Sequence, residues 1–207
     1  MYGLFILGKR LVDMIESQLI FPTQVFRTQF ENSQELQKIA VPKFQNIEKD
    51  DTSPVRYSAN GYTSYGAYTN ILLEAEFMEL KKFIDDAVKK CHQQTNLQGD
   101  VRLESSWFSI MRNNTYHEEH HHMPSVWSGV YYVQADNDHP GLTFVNRNAK
   151  LHWPRTGITQ LTESNSPEVT SPAQTGNVII FPSHVLHKVH QQTTDKERHM
   201  ISFNYGI

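Results

Sequence analysis

Four histidines fall within six residues, His117, His120, His121 and His122 in the string HEEHHH, and another, His187, follows an apolar stretch much later in the chain. Neutral imidazole is the commonest protein ligand for iron, copper, nickel and zinc. Side chains one residue apart on extended chain point the same way, so two such ligands share one ion. His120 and His122 stand in that relation, and so do His117 and Glu119. The run is interior and interrupted by Glu118 and Glu119, which sets it apart from an expression tag. Its pattern points to a mononuclear metal centre built from a pair at a strand end plus one distant histidine. The plain alternative is a solvated polar loop.

The elements that must position these residues follow from length and pattern. A chain of 207 residues is long enough to bury a sizeable core and suits one domain. After residue 99 the chain consists of short apolar runs separated by turn-forming residues, which predicts strands at 102–112, 127–135, 142–146, 177–182, 185–191 and 198–205. Turns are expected at Pro124, 136–141, 164–172 and 193–195. The first half is different. Residues 18–30 read as a strand broken at Pro22, and Ser33 looks like the N-cap of a helix that ends at Pro42. Residues 50–70 hold Gly, Ser, Asn and Tyr without periodicity and form a long loop. Tyr57, Tyr62, Tyr65 and Tyr68 make it a candidate substrate lid, with ordinary loop packing as the alternative. Residues 72–94 carry Leu73, Phe77, Leu80, Phe83, Ile84, Ala87 and Val88 at helical spacing. Helices followed by strands predict a mainly β fold with flanking helices, and strands this short favour a jelly roll, the double-stranded β-helix. The expected division is an N-terminal extension over 1–13, with Met14 as the alternative start, and one domain over 14–207. In that domain 30–98 supplies helical support and 100–207 the jelly-roll core.

Composition excludes several classes. A formal net charge of −3 argues against a duplex nucleic-acid binder, and the local group Lys81, Lys82, Lys89 and Lys90 reads as the solvated face of a helix. No stretch reaches the roughly 18 apolar residues of a membrane span. The N-terminal apolar run 4–8 is too short for a signal segment. A single cysteine, Cys91, rules out an internal disulfide and fits a reducing compartment, so the expected location is the cytoplasm, that of a host if the source is viral. A homodimer stays open.

Three strings, HEEHHHMPSVWSGVYYV, GNVIIFPSHVLHKV and ERHMISFN, together resemble the phage and bacterial branch of the Fe(II)/2-oxoglutarate-dependent oxygenases. That branch shows a pattern like H-x-x-H-x-H, then S-G-V-Y-Y, then G-x-x-x-x-F-P-S-x-x-x-H-x-V, then R-x-x-x-S-F-N. The match runs over 107–204, while the first half matches only loosely. Each motif alone is weak; in order and at these spacings they are fairly specific. The resemblance implies Fe(II) and 2-oxoglutarate as cofactor and co-substrate, O2 as oxidant, and hydroxylation of an unidentified substrate. A prolyl or other protein side chain, a small metabolite or a nucleobase would all be served by the same core.

Carried over residue by residue, the resemblance makes His120, His122 and His187 the metal ligands. His122 stands six residues before Ser128, as the metal pair does in the family. His117 with Glu119 is the alternative pair, and it would supply the carboxylate that most such oxygenases use beside two histidines. His184 and His190 lie close to His187, but His190 is three residues off, on the opposite face of a strand. Arg198 takes the place of the family's basic residue for the distal carboxylate of 2-oxoglutarate. A guanidinium suits that task because it is planar and stays charged when buried. Alternation puts Met200, Ser202 and Asn204 on the face of Arg198, so Ser202 and Asn204 are expected to line the co-substrate pocket. Tyr132 matches a co-substrate-binding tyrosine of related hydroxylases, with a core aromatic as the alternative. Trp107, Trp127 and Trp153 are read as core or pocket wall. Two rival classes remain. A cupin-type metalloenzyme expects a Glu four residues after its pair, where this chain has Val126; a non-catalytic jelly-roll binding or virion-associated module would carry the histidines without turnover.

Overall fold

Period-2 alternation in the second half decides the architecture. Tyr131, Val133, Val178, Ile180, Ile201, Phe203 and Tyr205 bury their side chains in one cluster. Their neighbours Val130, Tyr132, Ile179, Phe181 and Met200 bury theirs in a second. A sheet with two apolar faces must be covered on both, and it is. The computed structural model describes residues 18–52, 60–147 and 158–207. Within them lie strands β1 (Phe26–Gln29), β2 (Tyr62–Thr63), β3 (Arg102–Met111), β4 (His117–His120) and β5 (Trp127–Gln134), then β6 (Leu142–Val145), β7 (Glu168–Ser171), β8 (Asn177–Pro182), β9 (His187–Val189) and β10 (Arg198–Gly206). Helices α1 (Ser33–Asp50) and α2 (Met78–Gln94) precede most of them.

The strands form a six-stranded sheet in the order β1-β8-β5-β10-β3-β2 and a four-stranded sheet in the order β4-β9-β6-β7. Every strand pair in both is antiparallel. The helices cover one face of the larger sheet, where Leu36, Ala40 and Phe44 of α1 and Leu80, Ile84 and Val88 of α2 join its first cluster. The smaller sheet packs on the other face, where Leu142, Phe144 and Val189 join the second. This is the jelly roll with flanking helices that the pattern predicts. Among the described residues no helix is long and apolar enough to cross a membrane.

Several boundaries differ from expectation, each for a local reason. The predicted strand 18–30 shortens to Phe26–Gln29, because Pro22 removes a ladder donor and Phe21 has a positive φ of 57°. Helix α1 runs through Pro42 to Asp50 instead of ending there, since Leu36, Ala40 and Phe44 keep one buried stripe across the proline. Ser33 is its first residue rather than its cap; Asn32 takes that place without a side-chain capping bond. Residues 71–73 and 75–77 are 3-10 turns, so α2 begins only at Met78. β4 and β7 are not among the predicted strand ranges, although the histidine pair is expected at a strand end, and β7 falls inside the predicted turn 164–172. The proposed extension 1–13, Tyr57 and Trp153 lie outside the described residues.

Pro42 offers a test of that override. It is exposed and mid-helix, where proline forfeits a backbone bond and clashes with the preceding turn, at about 3 kcal/mol relative to alanine. Pro42→Ala is expected to raise the unfolding free energy by about 1–3 kcal/mol in a denaturant titration. No gain would mean that α1 is distorted at this point to accommodate the ring.

Candidate metal and co-substrate site

The site begins with β9. Its partner β4 sets His120 opposite His187. The chain then leaves β4, and the backbone N–H of His122 donates to the Ser183 carbonyl (2.9 Å), which turns its side chain back over β9. The result is a group of three histidines, His120, His122 and His187, whose ligand nitrogens all lie within 4.8 Å of one another. Nε2 of His122 and Nε2 of His187 are 3.2 Å apart. Two imidazole nitrogens each about 2.1 Å from one ion, at a right angle, would stand about 3 Å apart.

The second nitrogens are held in place. Nδ1 of His187 is 2.9 Å from the Val185 carbonyl and Nδ1 of His120 is 2.7 Å from the Glu118 carbonyl. A carbonyl only accepts, so each Nδ1 carries the proton and each Nε2 presents its lone pair to the group. Burial pushes His187 down to about 3 and His122 to about 4, and lowers His120 as well. The imidazoles are therefore neutral at physiological pH, the form a metal requires.

Arg198 is the second component. It is fully buried at the start of β10 and lines the same cavity as the three histidines. That cavity encloses ≈ 660 Å³ of empty space, including the part open to solvent. One Nη contacts the Pro140 carbonyl; the other contacts the sulfurs of Met111 (2.8 Å) and Met200 (3.4 Å). Nε has no hydrogen-bond partner among the described residues. Burial lowers its pKa, and Tyr132, over whose ring the guanidinium sits at 5.7 Å, acts the other way. An arginine still keeps its proton there. A buried cation facing only thioethers, an aromatic ring and a carbonyl is costly, and a carboxylate ligand removes that cost.

The remaining expected residues divide between cavity and frame. Tyr132 and Ser202 line the cavity, and burial raises the Tyr132 phenol above its ordinary value. Asn204 does not line it. Its Oδ1 accepts from Ser128 Oγ (2.8 Å) and its Nδ2 donates to Ser105 Oγ (3.3 Å). Since Ser128 gives its proton to Asn204, Ser183 donates to Ser128 across 2.7 Å. This hydroxyl and amide network ties β3, β5 and β10 to the residue whose carbonyl holds His122. Sequence reasoning missed it because alternation gives the face of Asn204 but not its distance from the site.

Of the alternative pair, only His117 reaches the cavity. Glu119 points outward to Arg147, whose Nε donates to it across 2.6 Å. His190 is also directed outward, with Nε2 3.2 Å from Glu168. His184 is exposed. The lid suggestion needs correction at Tyr62, which is buried in β2, lines the cavity and donates to Asp51 (2.9 Å). Tyr65 is half exposed and sets an edge against Trp107 (4.9 Å), which in turn lies 5.7 Å from His122. Trp127 faces the helices and donates to His92 across 3.2 Å.

Comparison with known proteins gives one family match and several shared folds. Residues 105–204 match the family model described as "Putative 2OG-Fe(II) oxygenase". No curated protein matches the chain in sequence. Among solved structures, the α-ketoglutarate-dependent epimerase SnoN from nogalamycin biosynthesis is similar at TM-score 0.63 and 14% identity, covering 89% of this chain and 78% of that one. HygX from Streptomyces hygroscopicus, with nickel and 2-oxoglutarate bound, gives 0.58 and 11% over 89% and 82%. A prolyl-4-hydroxylase from Pseudomonas putida gives 0.59 and 13% over 89% and 94%. At such identities the structures share a fold with this chain.

Proposed function

We propose that this chain is a 2OG-Fe(II) oxygenase, as the family model matched by residues 105–204 suggests, in which His120, His122 and His187 hold Fe(II) and Arg198 anchors the distal carboxylate of 2-oxoglutarate. The observation that carries this assignment is Arg198, a fully buried cation with no carboxylate partner among the described residues, in one cavity with three neutral histidines. The donor set fits the metal, since imidazole suits iron and three protein ligands leave three positions of an octahedral ion open. With iron bound, the centre supplies the oxidising chemistry, in which O2 and 2-oxoglutarate yield succinate, CO2 and an oxygen atom for the substrate.

The protein's part is orientation and exclusion of water. The Val185 and Glu118 carbonyls fix the ring planes of His187 and His120. Phe181 sets its edge against His187 at 4.7 Å and, with Leu142 and Val189, keeps the inner wall apolar. Tyr132 stands beside Arg198, and Ser202 lines the same cavity four residues further along β10. Trp107 and the exposed Tyr116 also line the cavity, and no Asp or Glu does so among the described residues. Such a lining suits an uncharged group offering a C–H bond, as in hydroxylation of a prolyl or other protein side chain or of a small metabolite. The formal charge of −3 speaks against a duplex substrate, and the lone Cys91, buried on α2, fits a cytoplasmic enzyme.

Anaerobically reconstituted protein is expected to give the weak charge-transfer band of a chelated Fe(II)–2-oxo acid complex, and to release succinate when O2 is admitted. Glu119→Gln should leave both unchanged, because that carboxylate is engaged with Arg147. Neither band nor succinate from the wild type would turn the assignment toward a non-catalytic module. A loss specific to Glu119→Gln would restore the alternative pair.

A further inference from the structure

We propose that Met111 and Met200 are specificity-determining residues for the co-substrate. Their two side chains fix the depth at which Arg198 meets a distal carboxylate, and so limit the 2-oxo acid to the length of 2-oxoglutarate. This rests on the oxygenase assignment above but concerns two side chains to which that assignment gives no role.

The first observation is how the sheet places the two methionines around the guanidinium. Arg198 stands opposite Met111 of β3, and Met200 stands opposite Tyr132 of β5. Arg198 and Met200, two residues apart on β10, share a face. The guanidinium is thus bounded by Met111 across one neighbouring strand, by Met200 along its own, and by the Tyr132 ring at 5.7 Å. The Pro140 carbonyl accepts from its other Nη. Arg198 and both methionines are buried, and all three line the cavity that holds the three histidines.

The second observation is the kind of acceptor. One Nη of Arg198 has both sulfurs within reach, that of Met111 at 2.8 Å and that of Met200 at 3.4 Å. A thioether accepts weakly and carries no charge, so it orients a guanidinium without neutralising it. An Asp or Glu in either place would pair with Arg198 and compete with an incoming carboxylate. The methionines therefore hold the fork in place and leave its charge for a ligand. Nε, without a partner among the described residues, remains a donor for the same purpose.

Depth follows from this placement. A 2-oxo diacid held by a metal at one end and by Arg198 at the other has a fixed span to fill. The metal end is set by histidines whose Nδ1 atoms are held by the Val185 and Glu118 carbonyls. The other end has no room to recede, because Arg198 is fully buried with both methionines against it. Met111 and Met200 belong to one packed apolar cluster with Tyr132, Leu142 and Val189. An extra methylene must displace one of these side chains, and a close-packed wall resists that. Such a pocket separates ligands differing by one methylene by about 10–200-fold. Truncating either methionine opens space directly beside the guanidinium.

The test titrates 2-oxoglutarate and 2-oxoadipate, one methylene longer, anaerobically into the iron-loaded protein, reading the charge-transfer band and the thermal shift. Wild type should bind 2-oxoglutarate about tenfold or more tightly than 2-oxoadipate. Met200→Ala should bring the two acids within about threefold of each other, chiefly by tighter binding of 2-oxoadipate, with Fe(II) affinity nearly unchanged. Met111→Ala, on a different strand, should move the ratio the same way and serves if the first truncation does not fold. Met200→Leu conserves the volume without the sulfur, and it should keep the wild-type preference. An unchanged ratio in both alanine variants would put the length limit elsewhere. A ratio that shifts as much in Met200→Leu as in Met200→Ala would make the sulfur contact, not depth, the cause. Either result overturns the proposal, as does a wild type that takes both acids equally well. If wild type binds iron but neither acid, the oxygenase assignment itself fails, and this inference with it.

Discussion

His187→Ala is expected to abolish tight Fe(II) binding, while His190→Ala, three residues away, leaves it nearly intact. His187 is buried, its Nδ1 is fixed by the Val185 carbonyl, and its Nε2 lies 3.2 Å from that of His122. His190 is exposed and turned to Glu168. Loss of a residue that only supports a ligand costs metal affinity about 10–100-fold, and loss of a ligand should exceed that range. Anaerobic Fe(II) titration of the two variants reads the difference. Equal losses would place the wrong histidine, or the wrong register of β9, at the metal.

How far such a site can be read from sequence depends on what fixes each residue. The strands β3, β5, β8 and β10 were legible to within a residue or two, because each carries apolar side chains on alternating faces that two different layers must cover. β4 was not. HEEH has no apolar residue, so nothing in its pattern marks a strand; it is extended because β9 pairs with it. β7 is similar, with Val169 its single apolar side chain and β6 its only ladder partner among the described strands. Pro42 misled in the other direction, since a local stop signal was outweighed by burial on the far side of the helix.

The same distinction applies within the site. His187 was legible because an apolar strand and a proline place the return of the chain. Placing His117 inward required a bulge in β4, where three steps face two along β9, and a bulge is invisible to period-2 counting. The polar residues of the strings SGVYY, FPS and SFN were legible as a pattern but not as a purpose. Ser128, Ser183 and Asn204 meet in one buried network, and the Ser183 carbonyl receives the backbone N–H of His122. Gly129 next to Ser128 is constrained by contact as well, because a Cβ there would collide with the Phe203 ring and the Ile179 carbonyl. Three motifs far apart in the chain are thus one device for seating a histidine.

Arg198 separates binding from stability most sharply. Arg198→Lys keeps a charge but loses the planar fork, so 2-oxoglutarate affinity should fall roughly ten- to a hundredfold, equivalent to about 1.5–3 kcal/mol, with Fe(II) affinity nearly unchanged. Arg198→Ala should cost more, because the ligand's buried carboxylate then has no cation. The structure indicates which part of the guanidinium matters. Nε has no partner among the described residues, and one Nη touches only the sulfurs of Met111 and Met200, which are weak acceptors. Among the described residues only the Pro140 carbonyl, two weak sulfur acceptors and the Tyr132 ring face this buried charge. Replacing such a charge by an apolar side chain of similar size is often neutral or stabilising. Arg198→Met is therefore expected to melt no lower than wild type without ligands, yet to lose the charge-transfer band and the thermal shift that 2-oxoglutarate gives the iron-loaded enzyme. A residue retained for folding would show the opposite, a lower melting temperature with co-substrate binding preserved, and that result would return Arg198 to the core.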